Sequence, residues 1–190
     1  MTRHKLIMDI IQTISSVLAV IFAIYIPEKI KWGQRYSQLL SDYRGYDFAV
    51  AVQGVIQFFT KDCKSDVERI KTEYKKRFDK EIEHPIDNSV SSEQILHYQR
   101  RLLNQFYYEL ELCAATPLIG KRRVSRDFTK NEANIIKIVY FMNKAVEESP
   151  ELYKDISTFE HVPKSTVSNG MNKYILRLYE LLKNQGKFMK

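Results

Sequence analysis

Two groupings in this 190-residue chain place chemistry-bearing side chains close together. The first is Arg77 and His84, with six residues between them. Nearly two helical turns bring both side chains close to one face. There an imidazole could activate a ribose hydroxyl while a guanidinium steadies the neighbouring phosphate. Against this, Pro85 directly follows His84, and the surrounding stretch of Lys, Glu and Arg reads as a solvated helix face, so the spacing matches by chance more readily than by design.

The second grouping is the run Gly120-Lys121-Arg122-Arg123-Val124-Ser125-Arg126. It is not a nucleotide-binding P-loop, which needs a Gly where Ala115 stands and a Ser or Thr where Arg122 stands. It reads as a basic loop in which Lys121, Arg122, Arg123 and Arg126 contact an anion: the phosphates of RNA, anionic lipid headgroups, or an acidic face of a cytoplasmic protein. Tyr107 or Tyr108 on the preceding helix would add stacking. The plainer alternative is a solvated turn. Elsewhere the residues point away from catalysis. His4, His84, His97 and His161 are scattered with no metal-ligand spacing, so neither a metal nor another cofactor is implied. Glu109 and Glu111 point in different directions as solvated or ion-paired flanks, and Cys113 falls on an apolar stripe as a buried small residue. Cys63 and Cys113 have no CxxC partner, which fits a reducing compartment.

The element that must position all of this is residues 6–26, apolar and free of charge from Ile10 to Ile26. A membrane helix needs about 20 such residues. Arg3, His4 and Lys5 before the run also suit a secretory signal, but the run is long and no good small-residue cleavage site follows, so an uncleaved anchor is expected. Arg3 and Lys5 on the short side are outweighed by Lys29, Lys31, Arg35 and Arg44 on the long side, which puts the remainder in the cytoplasm and the anchor in the inner, or plasma, membrane. Tyr25 and Trp32 would sit at the interface, and Pro27 would kink the helix as it leaves lipid. Ser15, Ala19 and Ala23, four apart, form a small-residue stripe suited to a homodimer.

Beyond the anchor, apolar residues recur at helical spacing. Six Gly and five Pro are too few for an all-β domain, and aromatic residues at 12% argue against disorder. Trp32, Tyr36, Leu39, Leu40 and Tyr43 mark one helix, ended at Arg44-Gly45. Phe48, Val52, Val55, Ile56 and Phe59 mark the next, and Val67, Ile70, Tyr74, Phe78 and Ile82 a third, capped by Ser65 or Asp66. Residues 84–92 form a loop. Leu96, Gln99, Leu102, Leu103, Phe106, Leu110, Cys113 and Ala114 mark a core helix ended by Thr116-Pro117. Thr129 and Glu132 match a capping box that opens a helix apolar on most faces, Ile135 to Met142, expected at the centre of the bundle. A short helix near 150–156, a loop over 161–170 and a last helix carrying Ile175, Leu178, Leu181 and Leu182 complete the pattern. The fold class is all-α: one N-terminal transmembrane helix and a bundle of about six helices.

The span followed by Trp32-Gly33-Gln34-Arg35-Tyr36, then Phe58-Phe59-Thr60-Lys61-Asp62-Cys63, Tyr98-Gln99-Arg100-Arg101 and Gly120-Lys121-Arg122-Arg123, resembles a group of uncharacterised bacterial single-pass membrane proteins with helical cytoplasmic domains. The resemblance implies location and fold and assigns no activity. The expected organisation is an anchor at 1–27, a helical cytoplasmic domain at 28–186 and a basic tail at 187–190. The expected function is a non-enzymatic, membrane-anchored interaction or ligand-sensing module; the alternative is a membrane-tethered helical ribonuclease of toxin or defence type using Arg77 and His84.

Overall fold

A computed structural model describes residues 3–83, 95–128, 130–148 and 171–184. Among these residues there are seven α-helices and no strand: α1 (Arg3–Tyr43), α2 (Tyr46–Gln57), α3 (Ile70–Phe78), α4 (Leu96–Ala115), α5 (Gly120–Asp127), α6 (Lys130–Glu147) and α7 (Met171–Lys183). The expected loops at 84–92 and 161–170, the short helix at 150–156, the Thr129 half of the capping box and the tail at 187–190 lie outside the described residues.

Helix α1 has 41 residues and includes Pro27, so it is about 60 Å long. Proline costs one backbone hydrogen bond here but does not divide the helix, and the separate helix expected from Trp32 is the second part of α1. Every residue from Ile10 to Lys31 is exposed, with Val20 at 60% and Ile24 at 64%. The helix is long and apolar enough to cross a membrane, and none of its apolar window is buried in the bundle. From Trp32 onward the same helix joins the core: Tyr36 and Leu39 are buried, with Trp32, Leu40 and Tyr43 packed beside them. That is the face its spacing predicts.

Gly45 then separates α1 from α2, where the turn closes through Gly45 N–H to Asp42 O at 2.9 Å. Phe48, Ala51, Val55 and Phe58 face the core, whereas Ile56 is 40% exposed. The buried seam therefore runs at three-four-three spacing; of the expected residues Phe48 and Val55 lie on it, Val52 and Phe59 pack at its edge, and Ile56 is turned out. A Cβ on Gly54 would stand 1.9 Å from Gln99 Oε1, so this glycine lets the Gln99 side chain of α4 lie directly on the α2 backbone. Helix α2 widens into a π turn over Phe58–Asp62, and Lys64 and Ser65 follow with φ of 53° and 60°. Asp66 Oδ1 accepts from Glu68 N–H at 3.0 Å and caps the next segment. Only Ile70, Tyr74 and Phe78 of α3 are buried, the single edge expected of a highly charged helix.

Helix α4 packs against all six other helices, which makes it the hub of the bundle. The expected centre, α6, packs chiefly against α7 and α3; its apolar residues cover several faces because it has several neighbours. Ile136, Val139, Met142, Ile175, Leu178 and Leu182 are fully closed off from solvent along the α6 and α7 contact.

Candidate functional site

The basic run at 120–126 is a helix, contrary to the loop expected from its composition. Gly120 supplies the turn into it with φ of 78°, a conformation that side-chain-bearing residues rarely adopt. Eight residues are too few to show periodicity, yet Val124, Ser125 and Phe128 are buried and hold α5 against α4. The remaining positions then have fixed directions. Arg123 lies over the Tyr36 ring at 5.0 Å, and Asp127 accepts a hydrogen bond from the Tyr36 hydroxyl at 2.8 Å. Arg126 donates to the other oxygen of Asp127 at 2.9 Å. Burial acts to raise the Asp127 carboxyl, but the hydrogen bonds from Arg126 and Tyr36 outweigh it and hold the group below its ordinary range. Of the four basic residues, Arg123 thus fastens α5 to α1, and Arg126 orients Asp127, its neighbour in the same helix, towards Tyr36. Lys121 and Arg122 are exposed, with no hydrogen bond or ion pair among the described residues.

These charges oppose the helix they sit on. Lys121, Arg122 and Arg123 occupy the first turn, where the backbone dipole favours anions, and no acidic residue is present there. The mismatch costs roughly 0.3–1 kcal/mol per charge at an exposed position. An external anion would offset it.

The stacking partners expected beside this cluster are not available. Tyr107 is fully buried, and Tyr108 is half-buried with its ring edge-to-face against Tyr174 at 5.1 Å. The alternative ribonuclease pair fares differently. Arg77 lines an open cleft of about 380 Å³ between α2 and α4 that also includes Lys61, Asp62 and Gln99. Its guanidinium is paired with Glu81 and, at 3.5 Å, with Asp62, so two carboxylates neutralise the group that would hold a phosphate. His84 lies outside the described residues. Ser15, Ala19 and Ala23 are exposed along α1, as is every residue from Ile10 to Lys31. Both cysteines are buried free thiols, pushed up by burial to about 12 at Cys63 and about 11 at Cys113.

What the sequence pattern concealed is a polar seam along α4. His97, Arg100, Asn104, Tyr107 and Glu111 recur at three-four-three-four spacing, and each is at most 8% exposed. Arg100 donates from Nε to the Tyr74 hydroxyl at 3.0 Å and from Nη1 to Asn143 Oδ1. Asn143 passes the chain to Asn104 Oδ1 at 2.7 Å. His97 Nδ1 lies 3.1 Å from the same Tyr74 hydroxyl. Burial first, then the charges of Arg100 and Arg101, push His97 down to about 3, so it is neutral at physiological pH. Further along, Tyr107 and Tyr43 donate to the two oxygens of buried Glu132 at 2.8 and 2.9 Å. Glu132 is expected to cap the backbone N–H of Thr129, which lies outside the described residues; its two oxygens serve these tyrosines. Glu111, expected as a solvated or ion-paired flank, is ion-paired but only 6% exposed, its carboxyl raised by burial and pulled back only partly by Arg177 and Lys121. Arg177 Nη1 reaches Glu111 Oε1 at 3.8 Å, while Oε2 has no hydrogen-bond partner among the described residues.

The seam's spacing was visible, but a polar residue at core spacing reads as a flank unless its partners on other helices are known. Among the described residues no three His, Cys, Asp or Glu side chains form a metal-ligand set. Comparison of the chain with protein-family models, with curated proteins and with solved structures finds no match to any of them.

Proposed function

We propose that this chain is a single-pass membrane protein whose residues 6–26 lie in the bilayer and whose bundle works at the cytoplasmic face as a non-enzymatic interaction or ligand-sensing module. The observation that carries the reading is the two-sided character of α1. One continuous helix presents an exposed apolar stretch over 10–30 and then buries Tyr36 and Leu39 in the bundle. An apolar surface of this length is costly in water and ordinary in lipid. Lys29, Lys31, Arg35 and Arg44 on the bundle side favour a cytoplasmic domain. The binding surface of the module is α5, where Lys121 and Arg122 project with no hydrogen bond or ion pair among the described residues.

Two measurements test this. After alkaline extraction of membranes from cells making the full chain, the protein is expected in the pellet; recovery in the supernatant would refute the anchor. In sealed vesicles of known sidedness, protease should remove the bundle only when the cytoplasmic face is outward. Cleavage in the opposite orientation would reverse the topology.

A further inference from the structure

We propose that the membrane-facing end of the bundle is a lipid-binding face, in which Lys121 and Arg122 engage anionic headgroups of the bilayer that α1 enters. The inference rests on residues 6–26 being a membrane span and adds a partner and a surface to that reading.

Contacts between helices fix which end of the bundle faces the bilayer. Phe106 of α4 stacks beside Tyr43 with ring centroids 6.1 Å apart, whereas Glu109, further along α4, meets Arg35, earlier in α1, at 3.4 Å. The two helices are therefore antiparallel, and α4 approaches the span as its numbering rises. Ala115 ends α4 six residues beyond Glu109, a rise of about 9 Å towards the bilayer. The chain turns through 116–119 at that level, with Pro117 exposed and Leu118 and Ile119 half-buried. It then descends as α5: Arg123 lies over Tyr36, and Phe128 meets Tyr43 at 5.0 Å. Lys121 and Arg122 consequently sit at the end of α5 nearer the span, at about the level of Gln34.

Distance and charge complete the argument. Gln34 is about 12 Å along α1 from Ile26, and the polar headgroup layer fills roughly the first 5–7 Å beyond the hydrocarbon. Both cations are then within a Debye length, ~8 Å, of headgroup charge. Exposed Lys29, two turns before Tyr36 on the same face of α1, extends the positive surface, while Lys31 lies 3.8 Å from Glu28. Lipid fits this face better than single-stranded RNA, because the nearby tyrosine rings are covered and a basic surface without a stacking platform suits headgroups.

The test places the full chain in nanodiscs of phosphatidylcholine alone or of phosphatidylcholine and phosphatidylglycerol in equal parts. Hydrogen–deuterium exchange is followed over 120–127. The anionic discs should slow exchange by about fivefold for each basic residue held; high salt should abolish the difference, and K121A/R122A should show none. The single tryptophan, Trp32, provides the independent control through quenching by headgroup-labelled lipid. Equal exchange in both lipids with Trp32 quenched would overturn the lipid face and leave the anchor intact. An unquenched Trp32 would remove the anchor reading and this proposal with it. Protection produced by single-stranded RNA in neutral discs, and not by phosphatidylglycerol, would assign the face to RNA and overturn the proposal.

Discussion

Arg100 and Arg122 carry the same guanidinium into opposite surroundings. Arg100 is 6% exposed and fixed by Tyr74 and Asn143, while Arg122 stands in solvent with no partner among the described residues. The interior uses neutral groups to solvate its charges: amide and phenol oxygens for Arg100, and two tyrosine hydroxyls for Glu132. A cation held in this way is committed to the fold, because removing it strands the groups turned towards it. A cation without internal partners is available to something outside. The seam and α5 should therefore separate experimentally, the first in stability and the second in binding.

The largest effect is expected at Arg100. Arg100→Ala should lower the unfolding free energy of the detergent-solubilised chain by about 3 kcal/mol, since charged hydrogen bonds are lost and buried Asn143 loses its donor. Arg100→Lys should recover only part, because an ammonium does not reproduce the guanidinium fork. A loss below about 1 kcal/mol in urea unfolding would mean that the seam is not what holds α3, α4 and α6 together. Tyr107→Phe comes next. It removes one of the two hydroxyls on Glu132 and should cost about 2 kcal/mol, the usual range for a hydrogen bond to a charged group. Tyr43→Phe should cost less, because Tyr43 is only half-buried and water can replace its hydroxyl.

His97 gives the seam a pH dependence. The unfolded chain takes up a proton near 6.5, whereas the folded chain refuses it until about 3 because burial, Arg100 and Arg101 oppose a second positive charge. Below pH 6.5 the unfolded state binds more protons, so stability is complete above that pH and falls by about 1.4 kcal/mol per unit as acid is added. Between pH 6.5 and pH 5, before most carboxylates titrate, the loss should approach 2 kcal/mol. His97→Gln keeps a hydrogen-bonding side chain for Tyr74 without the titration and should flatten the slope. An unchanged slope would place the proton elsewhere.

The apolar half of this architecture was readable from spacing, and the polar half was not. Leu96, Leu103, Phe106, Leu110 and Cys113 recur at core spacing and are buried, because the period of a helix and the side it presents are set locally. Leu102 fits the same pattern but is 38% exposed, because it lines an open groove beside Leu39, Gly45 and Phe48 that no local pattern encodes. The spacing gives no place in the core to Arg100 or Asn104 and puts Glu111 at a solvated or ion-paired flank, because their partners, Asn143 and Arg177, lie on helices remote in sequence. The helical state of α5 was hidden by its length and charge, with Val124 the only apolar side chain between Gly120 and Asp127. Its four basic residues stand together in the sequence, but only their neighbours divide them into Arg123, which docks the helix on Tyr36, Arg126, which pairs with Asp127 of the same helix, and Lys121 and Arg122, which make no hydrogen bond or ion pair among the described residues.

That division supplies the smallest effect and the sharpest contrast with Arg100. K121A/R122A should change unfolding free energy by only about 1 kcal/mol, because it breaks no hydrogen bond or ion pair among the described residues. A slight gain is the expected sign, because both charges oppose the helix dipole and alanine favours the helix. The pair R123A/R126A should instead destabilise, since it removes the cation above Tyr36 and the ion pair to Asp127. Urea unfolding of the two double variants side by side decides the matter. If K121A/R122A proves the more damaging, the exposed pair is holding α5 in place, and its charges belong to the fold as Arg100 does. If it leaves stability intact, any loss of lipid contact it causes reports on the surface itself.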